Sequence, residues 1–197
     1  MSQTDKQALR QQLRAKRRGV LAQQQRSAAV AVAAQVQSLS AFQRANTIAL
    51  YLANDGELSP EVLLQQCSQL GKQCYLPVVA ENQQMSFAHY QPGARLQANR
   101  FGILEPLSCA PRIPAQDLDL VLMPLVGFDR SGARLGMGGG YYDRAFDFLN
   151  PAGIRPQAQG PKLFGLAYSL QEVERLEVAS WDIPLDAIIT EREVIDI

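Results

Sequence analysis

Imidazole and thiol groups are scarce in this chain of 197 residues: one histidine, His89, and three cysteines, Cys67, Cys74 and Cys109. Without a CxxC spacing and with one imidazole, a structural zinc site is not expected, and the cysteines read as buried free thiols. A single histidine also leaves no Ser-His-Asp constellation for nucleophilic catalysis; His89 itself, on an apparent strand, reads as a half-buried side chain. Net charge is absent too. Nineteen Lys and Arg balance nineteen Asp and Glu, which removes the basic excess of a nucleic-acid-binding module. The apolar runs fall far short of a membrane span, and residues 1–20 lack the apolar core of a secretory signal. The expectation is a cytoplasmic protein with neither nucleic acid nor membrane as partner.

What is present suits a single domain over 1–197, large enough to bury a continuous core without staples. Apolar residues make up 47% and charged residues 19%, ordinary for a globular chain. Charge is nonetheless uneven, because Arg10, Arg14, Lys16, Arg17 and Arg18 crowd near the start.

Thr4 and Gln7 resemble a capping box opening a helix on which Leu9 and Leu13 share one face while Lys6, Arg10 and Arg14 share another. An Ala- and Gln-rich stretch over 23–39 predicts a second helix. TIALYLA, 47–53, reads as a strand, AsnAspGlyGlu as a turn, and the next residues as a helix opened by Ser59, with Pro60 in its first position, and closed by Gly71. QCYLPVV then reads as a neighbouring parallel strand and MSFAHY, 85–90, as a short one. Residues 91–118 carry four prolines and little periodicity, and read as a long loop. DLVLMPLV, 119–126, is the expected central strand, followed by a loop to the glycines and a helix over 141–149. KLFGLAYS and DAIIT predict two later strands, and 153–161 an exposed loop. The pattern predicts an α/β fold with a mostly parallel sheet.

The densest signal is ARLGMGGGYYDRAF, 133–146, where four of the five residues from Gly136 to Gly140 are glycine. Sequence order places it at the carboxyl end of a strand and the start of a helix, where bare backbone and unpaired N–H groups suit phosphate. It is neither a Walker A loop nor a GxGxxG dinucleotide motif, and alone reads equally as a structural turn. Its neighbours tip the balance towards a site: Arg134 offers a fork for phosphate oxygens and Asp143 a hard oxygen ligand for magnesium.

The run PLVGFDRSGARLGMGGGYYDR resembles the signature of the 5-formyltetrahydrofolate cyclo-ligase (5,10-methenyltetrahydrofolate synthetase) family. YLANDGEL, NRFGILEP and WDIPLDAIIT resemble further segments of it in the same order, over nearly the whole chain. The resemblance implies a three-layer αβα fold similar to phosphosugar isomerases and CoA transferases. It also implies ATP- and Mg2+-dependent closure of 5-formyltetrahydrofolate to 5,10-methenyltetrahydrofolate, with release of ADP and phosphate. By the same resemblance Lys6, Arg10, Arg134, Gly136, Met137, Gly138, Gly139, Gly140, Tyr141 and Tyr142 are expected to contact ATP. Leu52 and Glu57 are expected to contact the folate, together with the loop from Met137 through Gly138, Gly139 and Gly140 to Tyr141. Asp143 and Asp182 are expected at the metal. Some members carry lysine where this chain has Gly139.

Other readings stand beside these. Lys6, Arg10 and Arg14 can form a solvated helix face, and Arg14, Arg17 and Arg18 are read as surface charge or auxiliary electrostatics. Glu57 can serve as a helix cap, Trp181 as packing at the site edge, and Arg100 with Glu105 as a folate-tail contact or a loop ion pair. A non-catalytic folate- or nucleotide-binding module is the rival function, and a monomer is expected in either case.

Overall fold

The computed structural model describes residues 3–80, 84–100, 102–149 and 160–197. The side chain of Thr4, the expected cap, and the expected loop over 153–159 lie outside what is described.

Three helices come first: α1 (Gln3–Arg18), α2 (Ala22–Ser38) and the short α3 (Ser40–Arg44). β1 (Thr47–Ala49), α4 (Glu61–Gln69) and β2 (Gln73–Val79) form the expected βαβ unit, with β1 and β2 parallel in the register Ile48↔Cys74. β1 is shorter than TIALYLA, although Leu50 N still donates to the Tyr75 carbonyl at 2.9 Å; beyond it the chain leaves the sheet to bury Tyr51. Pro60 is the residue before α4 rather than its first turn, and Ser59 Oγ accepts from Glu61 N at 3.3 Å. β3 (Met85–Tyr90) pairs antiparallel with β2.

The stretch over 91–118 is not one loop. It forms a hairpin of β4 (Leu96–Ala98) and β5 (Leu104–Pro106), then an edge strand β6 (Arg112–Ile113) against β3. These strands are two or three residues long, too short for a period-two pattern to register. β7 (Leu120–Pro124) is central as expected, and β8 (Gly127–Phe128) with β9 (Arg134–Leu135) forms a small hairpin ahead of the glycines. The helix predicted over 141–149 is shorter: α5 spans Tyr141–Ala145, and a 3-10 turn follows over Asp147–Leu149. β10 (Lys162–Leu166) and β11 (Ala187–Ile189) are the two later strands, and β12 (Val194–Asp196), unforeseen, closes the edge.

The eight-stranded sheet runs β12-β11-β10-β7-β1-β2-β3-β6, its five inner strands from β11 to β2 parallel. Alternation divides the side chains between two layers. Ile48, Leu120 and Leu122 pack with Val32, Phe42 and Leu63 from α2, α3 and α4. On the other face Ala49, Val121 and Met123 pack with Phe146 and Leu149. The result is a three-layer αβα arrangement. No helix among the described residues is long and apolar enough to cross a membrane.

From β1 the chain proceeds to β2 on one side, and from β7 to β10 on the other. The boundary between β1 and β7 is thus a topological switch point, where the loops leaving two adjacent parallel strands diverge and open a crevice. α1 lies at that crevice. Its Leu13 is buried with Val126, Ala133, Leu135 and Leu176, and a Cβ at Gly127 would stand 2.6 Å from Leu13 Cδ1, so bare backbone on the hairpin lets the helix settle. Leu13→Ala is expected to lower the unfolding free energy by ~2–5 kcal/mol in urea denaturation.

Candidate active site

Two loops flank the crevice. The one after β1 buries Tyr51, whose hydroxyl donates to the Leu58 carbonyl, and then reverses through Asn54, Asp55, Gly56 and Glu57. Glu57 N returns to Asn54 O at 3.0 Å, with φ of 51° at Asp55 and 73° at Gly56; two positive φ values define a type I′ turn, which Asp-Gly suits. A side chain at Gly56 would stand 3.0 Å from Arg18 Cα, so this turn is pressed against α1.

The arginines of α1 hold it there. Arg17 is fully buried; its Nε donates to Asp55 O at 3.0 Å, its Nη2 reaches Asp55 Oδ2 at 3.1 Å and Glu57 Oε1 at 3.5 Å, and its Nη1 meets Leu125 O, just past β7, at 3.3 Å. Arg14 and Arg18 add pairs to Asp55 at 2.6 and 3.2 Å. The reading of Arg14, Arg17 and Arg18 as surface or auxiliary charge is corrected for Arg17, which is buried; Arg18 stays exposed, and the three together brace the loop after β1, Arg17 tying it to the strand on the other side of the crevice. The sequence signal was there in the pairing of a basic helix end with the acidic AsnAspGlyGlu turn.

Glu57 does not cap α4. Its Oε2 accepts from Asn54 N at 3.1 Å, and its carboxylate raises the phenols of Tyr51 and Tyr142, each already lifted by burial. Glu57 is thereby near the start of α5 and the glycine loop. Burial raises the Glu57 carboxyl above its ordinary value, a shift that Arg17 and the Asn54 N–H oppose without cancelling. Asp55 goes the other way: burial raises it, but Arg14 and Arg17 together hold it below the usual range. Leu52 is half-buried against the α2 and α4 layer.

Across the crevice the glycine loop stands open: Gly136 to Gly139 are exposed, and Met137 presents 54% of its surface. Gly138 and Gly140 have φ of 95° and 62°, so two of the four glycines are required by conformation. Arg10 Nε donates to Gly136 O at 2.9 Å, and Lys6 Nζ to Glu177 O at 2.9 Å. Of the expected basic pair, Arg10 thus reaches the expected loop, while Lys6 reaches the Glu177 carbonyl instead. With only five residues, α5 contributes little aligned dipole; the loop amides and nearby arginines must supply the positive potential instead.

Arg134, 8% exposed, turns inward to pair with Asp143. Burial works against its charge, and Asp143 and then Asp182 offset that cost. Ile183 N donates to Asp143 Oδ1 at 3.2 Å and Ala179 N to Asp182 Oδ2 at 2.8 Å, which ties the 179–183 segment to α5. No group of three or more His, Cys, Asp or Glu side chains among the described residues is gathered to hold an ion. Two carboxylates about one guanidinium do not make a closed metal cage, but they fit an ion that brings phosphate oxygens and waters with it.

A profile of the 5-formyltetrahydrofolate cyclo-ligase family matches residues 2–191. The chain belongs to the 5-formyltetrahydrofolate cyclo-ligase family. It is 36% identical over 192 residues to the 5-formyltetrahydrofolate cyclo-ligase of Haemophilus influenzae, covering 96% of this chain and 99% of that one. It is 37% identical over 187 residues to the Escherichia coli K12 cyclo-ligase, covering 92% and 98%. Among solved structures, the 5,10-methenyltetrahydrofolate synthetase of Aquifex aeolicus superposes with a TM-score of 0.81 at 33% identity, covering 97% of this chain and 92% of that one.

Other expectations around this cyclo-ligase fold divide. His89 is half-buried, edge-on to Tyr75. Cys67 and Cys74 are buried but Cys109 is exposed. Trp181 stands 72% exposed rather than packed. Arg100 approaches the Tyr141 hydroxyl at 3.5 Å, while Glu105, buried, accepts from Asn99 at 3.2 Å.

A carboxyl raised by folding costs stability once the pH exceeds its unfolded value, about 4.3 for Glu. Glu57→Gln is therefore expected to raise the urea midpoint at neutral pH, with the gain shrinking as the pH falls from the raised folded value to the unfolded one. A loss at neutral pH, or a gain independent of pH, contradicts this.

Proposed function

We propose that this protein closes 5-formyltetrahydrofolate to 5,10-methenyltetrahydrofolate with Mg-ATP, releasing ADP and phosphate. The observation that carries the reading is the meeting of two loops at the switch point. One ends in the raised carboxyl of Glu57 and the other is an exposed glycine loop, and α1 is bonded to both.

The chemistry asks little of protein nucleophiles. The formamide oxygen attacks the γ-phosphorus of ATP and ADP leaves. N10 then attacks the formyl carbon and loses its proton, and the C–O bond breaks with departure of phosphate. What the chain supplies is alignment and charge, as in phosphoryl transfer generally. Glu57 suits the N–H groups of a pterin and fixes it by charge-assisted hydrogen bonds, and Leu52 offers an apolar contact. Gly136 to Gly140 let main-chain N–H groups close on the triphosphate, with Met137 and Tyr141 between the two ligands. Lys6 and Arg10 cover it from α1, and Arg134 and Tyr142 line the inner wall. Asp143 and Asp182 would hold magnesium, whose charge offsets that of the phosphates. In this reading the protein is a cytoplasmic monomer with small molecules as its partners.

Purified protein mixed with 5-formyltetrahydrofolate and Mg-ATP is expected to form methenyl-folate, seen in the near ultraviolet, and none without ATP or magnesium. Arg10→Ala and Asp143→Ala are expected to lower kcat/KM for Mg-ATP by roughly tenfold or more with unchanged circular dichroism. Near-wild-type turnover in both variants contradicts the site, and folate binding without ATP consumption supports the non-catalytic module instead.

A further inference from the structure

Two arginines, Arg10 half-buried and Arg144 exposed, bracket the glycine loop. Arg10 reaches it from α1, its guanidinium carbon 3.5 Å from where a Cβ on Gly138 would stand. Arg144 reaches it from α5, its Nη2 donating to Gly139 O at 2.7 Å. We propose that Arg144 is a triphosphate-binding residue, presenting its guanidinium beside the Gly139 peptide; this rests on the ATP reading above.

The local packing explains how an arginine five residues on arrives there. Gly139, unlike Gly138 and Gly140, lies outside the left-handed region, so its backbone accepts a side chain. What excludes one is the Tyr141 ring, with Cε2 only 2.6 Å from a Cβ built there. Absence of a side chain at 139 thus admits the ring, and the ring carries Arg144, whose guanidinium carbon is 5.2 Å from its centroid. Gly140 completes the arrangement: a Cβ there would stand 2.9 Å from Arg144 Nη1, so bare backbone lets the guanidinium fold back along the loop. Glycine at 139, the tyrosine ring and the arginine therefore form one packing unit, which sets a cation beside the Gly139 peptide. A guanidinium fork is also suited to two oxygens of one phosphate, and stacking on the ring restricts its rotamers before any ligand arrives.

Ring-closure kinetics of wild type, Arg144→Ala and the double variant Gly139→Lys/Arg144→Ala test this. Arg144→Ala is expected to raise the KM for Mg-ATP about tenfold, leaving the KM for 5-formyltetrahydrofolate within about twofold and the urea midpoint unchanged. Gly139→Lys in that background is expected to recover most of the loss by displacing the Tyr141 ring and restoring a cation. A wild-type KM for Mg-ATP in Arg144→Ala overturns the proposal, and so does a folded double variant that recovers nothing. If the double variant does not fold, Arg144→Lys decides: a KM between those of wild type and alanine supports the proposal, and one equal to alanine overturns it. Failure of wild type to close the ring would sink the functional reading instead. Equilibrium binding of Mg-ADP to wild type and Arg144→Ala then tests this inference alone, with weaker binding by the variant supporting it and equal binding overturning it.

Discussion

The site depends on one buried guanidinium. Arg17 gives up hydration entirely, a cost of several kcal/mol for an ion, and recovers it only because Asp55, Glu57 and two main-chain carbonyls all accept from it. Those acceptors come from the turn after β1 and from the residue past the end of β7, the two sides of the switch point. α1 belongs to no sheet and has a hydrophobic anchor in Leu13, whose contacts with the β8–β9 hairpin fix its height over the crevice. The arginine fixes its direction, and with direction comes the reach of Arg10 to Gly136 and of Lys6 to Glu177.

This arrangement carries a conflict that is more easily explained by ligand binding than by folding. Glu57 is kept in surroundings that disfavour its charge, even with Arg17 at hand. An amide would fill the space with less electrostatic penalty. Retaining a carboxylate makes sense if its unused hydrogen-bonding capacity is meant for a ligand, since buried acceptors gain most from partners that arrive preorganised.

Much of the fold was legible because its inner strands are apolar runs separated by helix signals: QCYLPVV and DLVLMPLV declare buried parallel strands, and the glycines after the second declare a close-approach loop. The hairpin of β4 and β5 was not legible, since strands of three residues are too short for an alternation to be read. The truncation of α5 was equally hidden, because Phe146 and Leu149 keep helical spacing while serving the core of the opposite layer. At the site, Arg10 and the glycine loop could be named in advance and do come together, whereas Lys6 bonds to the Glu177 carbonyl instead. The inward turn of Arg134 onto Asp143 could not, because sequence places both beside the loop without saying which faces the other. Arg17 was missed for a related reason: on a helix with five basic residues nearby, nothing in the pattern singles out the one that is buried.

The central claim is that the two loops bring the formyl oxygen to the γ-phosphate, so that this oxygen leaves as phosphate. The most direct test is to supply 5-formyltetrahydrofolate carrying 18O in the formyl group and to measure the released inorganic phosphate by mass spectrometry. The account predicts that each turnover transfers the label to phosphate. Unlabelled phosphate formed in step with methenyl product would contradict it, because ATP would then be cleaved without phosphorylating the oxygen that must depart.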